Sequence, residues 1–355
     1  MAEGTRFSIK NNLDVLVAFG VIGIVLMIII PLPPKLIDVI IAINITLAVV
    51  ILLLSMFTTE VLQFSVFPTL LLITTLLRLG LNISSTRLIL TEAYAGDIIE
   101  AFGEFVVGGN YVVGIIIFLI IIIIQFVVIT AGAGRVSEVS ARFTLDAMPG
   151  KQMSIDADLN AGVITEDQAR ERRTKLQDEA SFYGAMDGAS KFVKGDAIAG
   201  IIVTIINIFG GIIIGVVMLK MPIAKAATTY VRLTVGDGLV GQIPALLISV
   251  ASGILVTRSG STTNLGTQVT AQLTAFPKVI ALASVVLLVL AAIPGMPHVV
   301  FIMLSAGMAT SAYFLHKDEK DQKIMKIENE EQENYETESR EPENVMSLIS
   351  VSLWR

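Results

Sequence analysis

Cysteine is absent from this 355-residue chain, histidine occurs twice, and 16% of the residues are charged. Without cysteine the chain has no disulfides, thiolate metal sites or cysteine nucleophiles. His298 and His316 lie at opposite ends of one apolar segment, which disfavours a shared metal site or a Ser–His catalytic pair. Gly150-Lys151 lacks the earlier glycine and the following Ser or Thr of a phosphate-binding P-loop. We therefore predict no enzymatic activity, no cofactor and no metal.

Charge is scarce because long apolar segments fill most of the chain. Soluble domains are about 25% charged, whereas this chain has a mean hydropathy of +0.77. A helix needs about 20 apolar residues to cross a bilayer. Eight segments come near that length, at positions 13–30, 36–56, 61–77, 106–130, 197–219, 238–256, 278–294 and 297–315. The predicted fold class is an all-α integral membrane protein, a bundle of about eight transmembrane helices with a small helical cytoplasmic loop domain.

The distribution of basic residues predicts the orientation of these spans. Residues 131–196 hold nine Lys and Arg, against two in residues 78–105. Because cytoplasmic loops are enriched in Lys and Arg, residues 131–196 and both termini are expected to be cytoplasmic. The loop at 220–237 argues for the opposite orientation. The first span follows the basic residues Arg6 and Lys10 but lacks an Ala-x-Ala cleavage site, so we expect it to be retained.

These patterns predict five regions. Residues 1–130 form spans one to four, with the third, interrupted by Gln63, Ser65 and Pro68, expected to be broken or re-entrant. Residues 131–196 form the cytoplasmic loop, where a capping box from Thr165 to Gln168 starts a helix to about residue 185. Residues 197–315 form spans five to eight. Residues 316–344 are acidic and predicted to be an unfolded linker, and residues 345–355 resemble the start of another domain.

Two short motifs resemble ligand sites and are interpreted otherwise. Gly236-Asp237-Gly238-Leu239-Val240-Gly241 matches G-x-G-x-x-G after the strand-like Tyr230 to Val235. A dinucleotide site needs a βαβ unit with a later acid, whereas an apolar span follows here. The glycines are expected to allow close helix packing. Asp156-Ala157-Asp158 resembles the start of a calcium loop, but Ala161 replaces the required glycine.

Ionisable residues near the ends of the apolar segments are the strongest functional signal: Asp14, Asp38, Arg78, Lys191, Lys194, Asp196 and Asp237. Charges at membrane depth persist mainly when they are paired or face a water-filled path, often for ions or protons. Alternatively, each of them extends to the membrane surface and has no role in transport. Position alone leaves both interpretations open.

Four stretches of the sequence resemble the flagella/hypersensitive-response/invasion export-pore family, the large membrane proteins of type III secretion export gates. The longest begins at Arg142 and reads RFTLDAMPGKQMSIDADL, and FYGAMDGASKFVKGD begins at Phe182. GDGL begins at Gly236, and QIPAL begins at Gln242. The resemblance covers nearly the whole chain up to Leu315. It is highly specific, and it is closer to flagellar than to injectisome members.

The resemblance implies a bacterial inner-membrane protein that couples proton motive force to the export of unfolded flagellar subunits. It implies a homo-oligomeric ring, a nonamer in the family, with other export-gate membrane proteins as partners. Protons, export substrates and membrane lipid are the further partners implied. The sequence pI of about 5.1 argues against nucleic acid.

The resemblance also assigns expected roles to residues at matching positions. Asp196 and Asp237 are candidate proton-path carboxylates, and their electrostatic partners are expected among Arg78, Lys191 and Lys194. Three residues, Arg135, Arg142 and Asp146, are expected to hold the loop against the membrane helices. The rest of the loop signature comprises Pro149, Gly150, Lys151, Asp156 and Asp158.

The C-terminal end departs from the family pattern. Family members continue into a large cytoplasmic domain that docks chaperones, whereas this chain ends in Ser352-Leu353-Trp354-Arg355. The expectation is a chain cut off before that domain, without chaperone docking. Two competing functions are a secondary transporter for a small solute or ion, which predicts repeated halves with matching broken helices, and a passive scaffold whose charges are all interfacial.

Overall fold

The computed structural model describes residues 13–107, 110–258, 264–294 and 296–340. The described residues form eleven α-helices, a 3-10 turn at Val61–Phe64 and a π-helix at Ile124–Thr130. The helices are α1 Leu13–Ile29, α2 Pro34–Phe57, α3 Phe67–Glu92, α4 Asp97–Val107, α5 Tyr111–Ile123, α6 Ala131–Asn160, α7 Glu166–Val217, α8 Ile223–Thr257, α9 Leu265–Thr274, α10 Pro277–Ala291 and α11 His298–Arg340. Arg6, Lys10 and the predicted stub at 345–355 lie outside the described residues.

The predicted all-α membrane class is confirmed, and the eight apolar segments are mostly helical where the structure describes them. Six described helices are long and apolar enough to cross a membrane. A seventh is counted if α9 and α10, which are bent by 73°, form one span. The eighth segment is α1, whose 17 residues lie at the short end of the spanning range.

The third segment, 61–77, starts with the 3-10 turn at Val61–Phe64, and two turn residues separate that turn from the long helix α3. Helix α3 has 26 residues and begins at Phe67, with Pro68 in its first turn. A proline there does no harm, because the first backbone N–H groups of a helix have no intrahelical partner. The helix runs past residue 77 to Glu92 and ends at Ala93, whose φ is 51°. Arg78 therefore lies in the middle of a helix and not at the end of a span.

The predicted loop at 131–196 consists of parts of two long helices. The predicted capping box is present, because Thr165 Oγ1 accepts from the Gln168 amide and Gln168 Oε1 accepts from the Thr165 amide. Helix α7 does not end near residue 185, as predicted, but continues for 52 residues to Val217. One continuous helix thus joins the second half of that loop to the fifth span.

The acidic segment after the last span is also helical, in contrast to the predicted unfolded linker. Helix α11 continues through it to Arg340. Glu, Lys and Gln are good helix formers, and proline first recurs at Pro342. The prediction failed because it considered burial alone.

The chain divides into two compact units, residues 1–265 and 266–355. In the second unit, α10 and α11 form a hairpin in which Ser305 Oγ donates to the Ser284 carbonyl at 2.7 Å. In the first unit, buried side chains of α2, α3, α7 and α8 form the main apolar clusters. The candidate site lies among helices of this first unit.

Asp38, one of the charged residues near a span end, has a structural role. Its carboxylate accepts hydrogen bonds from the backbone N–H groups of Asp97 and Ile98, both at 3.0 Å, at the start of α4. Gly96 precedes them with φ of 116°, and a side chain at that position would overlap the Asp38 carboxylate. Asp38 therefore caps α4 and fixes the entry to that helix.

Candidate functional site

A buried ion pair joins α3 to α7 in the first unit. Arg78 donates through Nη2 to Asp196 Oδ2. The two side chains are 7% and 3% exposed, so solvent does not screen the pair as it screens a surface pair. The second carboxylate oxygen, Asp196 Oδ1, is buried and has no hydrogen-bond partner among the described residues.

The ion pair lines a cavity of about 80 Å³, called here the central cavity. Asp237, on α8, lines the same cavity. The other polar lining residues are Asn82, Gln125, Thr130, Thr204 and Gln242. A cavity of this volume holds several water molecules, since one water needs roughly 10–15 Å³. The site therefore places two carboxylates and one guanidinium around a space large enough for water.

The two carboxylates have different surroundings. Asp196 is paired with Arg78, whereas no ion pair to Asp237 occurs among the described residues. Ser85 Oγ lies near the Asp237 carboxylate. Two acids that share a cavity but differ in their partners are suited to different tasks in proton transfer.

The π-helix supplies two of the polar lining residues. Gln125 and Thr130 are buried in this segment, and Gln125 Nε2 donates to the Gln242 carbonyl at 3.4 Å. Such π-helical turns occur frequently at functional sites. The sequence analysis did not identify either residue. The available signal was a glutamine within an otherwise apolar run of isoleucines and valines.

Glycines on either side of Asp237 allow close packing against α8, as the sequence predicted. A side chain at Gly236 would overlap the Ile99 carbonyl of α4, and one at Gly238 would overlap the Phe118 ring of α5. Tyr230 to Val235 are helical, so the strand that a dinucleotide motif requires is absent from this stretch. The glycines bring α4 and α5 against the part of α8 that carries Asp237.

The structure does not bring the two lysines to the carboxylates. Lys191 pairs with Asp187 one turn away at 2.6 Å, and its side chain is 71% exposed. Lys194 is exposed. Of the three cations proposed as electrostatic partners, Arg78 is the one that contacts an acid of the central cavity.

The loop signature lies mostly on the surface of α6. Arg135 pairs with Glu138 on its own helix at 3.5 Å, and Arg142, Asp146, Pro149 and Gly150 are exposed. None of the contacts described for Arg135, Arg142 and Asp146 reaches the membrane helices.

Three signature residues form ion pairs between α6 and α7. Lys151 pairs with Glu179 at 3.4 Å, Asp156 with Arg173 at 2.5 Å and Asp158 with Arg172 at 3.1 Å. These pairs flank a small apolar cluster that includes Met148, Ile155 and Leu176. The two acids of the calcium-like motif thus pair with arginines.

Other residues connect the loop to the membrane helices. Lys175 pairs with Glu60 at 2.9 Å. Phe182 and Tyr183 are buried in the same apolar cluster as Phe64 and Phe67. The Ser137 and Ser252 hydroxyls lie 3.4 Å apart between α6 and α8. The sequence analysis identified none of these contacts, because their spacing along the chain carries no periodic signal.

Comparison with known families identifies the chain. The profile of the FHIPEP family, the flagella/hypersensitive-response/invasion export-pore family named above, matches residues 24–354. The chain belongs to the FHIPEP family. The match reaches residue 354 and so includes Ser352, Leu353 and Trp354, where the sequence was expected to depart from the family pattern.

Relatives of this FHIPEP member include proteins named flagellar biosynthesis protein FlhA. The Bacillus subtilis protein is 54% identical over 338 residues, which are 95% of this chain and 50% of that protein. The Salmonella typhimurium and Escherichia coli proteins are 53% and 52% identical, each over 82% of this chain and 43% of their own length. This chain thus spans about half the length of the curated relatives it matches. No solved structure matches it significantly.

Proposed function

We propose that this chain is the membrane part of a flagellar type III export gate and provides a proton path for protein export. The relatives are named flagellar biosynthesis proteins, and the chain is a multi-pass membrane protein of the same family. The observation that carries the proton path is the central cavity, where Asp196 and Asp237 lie together with Arg78. Charged groups are costly inside a membrane and are characteristic of ion and proton pathways.

The cavity suggests how the three residues act. Asp237 faces the cavity without an ion-pair partner among the described residues, so it is the proton carrier. Arg78 holds Asp196 through one oxygen and leaves the other oxygen available to a proton or a water molecule. A change in helix packing that separates Arg78 from Asp196 exposes a second carboxylate to the same cavity. Export of an unfolded subunit is coupled to that change.

The remaining expectations belong to the same proposal. The protein lies in the bacterial inner membrane with cytoplasmic termini, and it works in a ring of nine copies with other export-gate proteins. Unfolded flagellar subunits are its cargo. No catalytic residue is proposed.

The transporter alternative has less support. A transporter built from repeated halves has matching broken helices in both halves. Within the described residues, α9 and α10 are the one bent pair. The scaffold alternative is opposed by the burial of Arg78 and Asp196, because an interfacial charge reaches solvent.

The proposal is tested by protein export in a flagellated bacterium that lacks its own FlhA. A chimera in which this chain replaces the matching part of a full-length relative is compared with its Asp196→Asn form. Export of a reporter subunit, normalised to the amount of chimera in the membrane, is expected to fall at least tenfold, because a positioned proton-transfer group typically contributes about 10²–10⁴-fold. Asp187→Asn is the control, because Asp187 lies on the same helix and pairs with exposed Lys191.

Two outcomes contradict the proposal. Normal export by the Asp196→Asn chimera would contradict the role of this carboxylate. Export that does not respond to an uncoupler in the unsubstituted chimera would contradict coupling to the proton gradient.

A further inference from the structure

Two smaller cavities adjoin the central cavity on opposite sides. The first, called the Asn44 cavity, has a volume of about 10 Å³. Its polar lining residues are Asn44, Arg78, Asn82, Ser85 and Asp237. The second, called the Ser190 cavity, has a volume of about 20 Å³. Its polar lining residues are Thr130, Ser190, Ser249 and Ser252.

Each small cavity shares lining residues with the central one. Arg78, Asn82 and Asp237 line both the Asn44 cavity and the central cavity. Thr130 and Val193 line both the Ser190 cavity and the central cavity. The three spaces are therefore neighbours.

The cavities follow the same order along α3 and α8. On α3, Leu71 lines the Ser190 cavity, Arg78 the central cavity and Ser85 the Asn44 cavity. These positions are seven residues apart, so they lie near one face of the helix and cover about 21 Å at 1.5 Å per residue. On α8, Ser252 lines the Ser190 cavity, and Asp237 lines the other two. The series of cavities thus runs along the helix axes, in the direction that crosses the membrane.

Each cavity contains a buried polar atom that lacks a hydrogen-bond partner among the described residues. These atoms are Asn44 Oδ1 in the Asn44 cavity, Asp196 Oδ1 and Gln242 Oε1 in the central cavity and Ser190 Oγ in the Ser190 cavity. Asn44 is 3% exposed. Buried polar groups are almost always paired with protein or water. Each small cavity has about the volume of one water molecule.

We propose that the three cavities form one water-filled route through the helix bundle, with Asn44 and Ser190 binding the water molecules at its two ends. The route gives protons access to Asp237 from the Asn44 side and to Asp196 from the Ser190 side. The assignment of protons as the transported species rests on the proposed function. The existence of a water-filled route does not depend on the proposed function.

Silver-ion accessibility tests the route, because the chain has no cysteine of its own. Single cysteines replace Asn44 and Ser190, and membrane vesicles of both orientations are treated with Ag⁺, an ion small enough for a narrow water path. Blocked thiols are counted after purification by their failure to react with a fluorescent maleimide. Ala48→Cys and Ala189→Cys are the controls, since both alanines lie on the same helices in an apolar cluster at 0% and 2% exposure.

The route predicts reaction at positions 44 and 190 at least about tenfold faster than at positions 48 and 189, because thiol reactivity follows access to water. The faster side is expected to differ between the two positions. Equal rates at all four positions would overturn the proposal. Ser85→Cys and Ser249→Cys repeat the test with smaller changes if the first variants fail to reach the membrane, because they line the same two small cavities.

This experiment separates the route from the proposed function. Slow Ag⁺ reaction together with loss of export in the Asp196→Asn chimera would reject the route and retain the proton-coupled gate. Fast Ag⁺ reaction together with normal export by that chimera would retain the route and reject the gate mechanism.

Discussion

Arg78 and Asp196 are 118 residues apart in the sequence and form a buried ion pair between α3 and α7. Helix α7 also carries residues 182–196, the second stretch that resembles the family, so the pair links that stretch directly to α3. Replacing one partner leaves the other charge buried without compensation, which costs about 3–5 kcal/mol in buried pairs. Replacing both by apolar residues of similar size is often neutral.

The first prediction concerns the stability of this pair. Arg78→Met alone and Asp196→Leu alone are each expected to lower the melting temperature of the detergent-solubilised protein more than the double variant does. The reason is that the double variant buries no unpaired charge. Thermal unfolding followed by circular dichroism measures this. A double variant as unstable as the sum of the singles would contradict coupling between the two side chains.

The second prediction concerns the crossing of α4 and α8. A side chain at Gly236 would overlap the Ile99 carbonyl, and one at Gly103 would overlap the Arg232 carbonyl. Because backbone atoms cannot move aside cheaply, each alanine substitution is expected to cost about 1–3 kcal/mol. Gly253→Ala is the control on α8, since a side chain there meets nothing within 4 Å. Equal melting temperatures for Gly236→Ala and Gly253→Ala would show that the helices do not cross so closely.

The third prediction concerns the start of α7. Thr165→Ala removes the side chain that accepts from the Gln168 amide and is expected to destabilise the first turn by about 1 kcal/mol. Hydrogen exchange of the amides in that turn should become about fivefold faster, which corresponds to that free energy. Thr174→Ala, on the exposed part of the same helix, should leave those amides unchanged. Unaltered exchange in the Thr165 variant would contradict the cap.

The fourth prediction concerns Lys191. Its partner Asp187 lies on the same helix, and its side chain is 71% exposed. Exposed pairs contribute little to stability because water and salt screen them, so Lys191→Gln is expected to leave the melting temperature nearly unchanged. A drop as large as that of Arg78→Met would indicate that Lys191 compensates a buried acid after all.

Periodicity and composition predicted the parts of the fold that depend on them. Apolar run length gave the eight helical segments, and the Thr165–Gln168 spacing gave the start of α7. Helix ends were predicted less well, because a helix continues for as long as backbone hydrogen bonding allows, whether its side chains are apolar or charged. The predicted end of the third span was therefore residue 77, whereas α3 ends at Glu92. The acidic part of α11 was predicted to be unfolded for the same reason.

Predictions for the candidate site divided in the same way. The charged residues near the span ends identified Asp196, Asp237 and Arg78, and the structure places all three at one cavity. Their pairing required tertiary information, and Lys191 was a nearer candidate in sequence than Arg78. Gln125 and Asn44 were missed because a single amide in an apolar helix has no pattern until the neighbouring helices are in place.

The measurement that tests the proton path most directly is proton flux in vesicles that contain this chain, followed with a pH-sensitive dye under an imposed membrane potential. Asp237→Ala is expected to lower the flux at least tenfold, because a positioned proton-transfer group typically contributes about 10²–10⁴-fold, whereas Asp237→Glu retains most of it. Asp187→Ala, at the exposed pair on α7, should not change it. Equal flux through the unsubstituted chain and the Asp237→Ala variant would contradict a proton path through the central cavity.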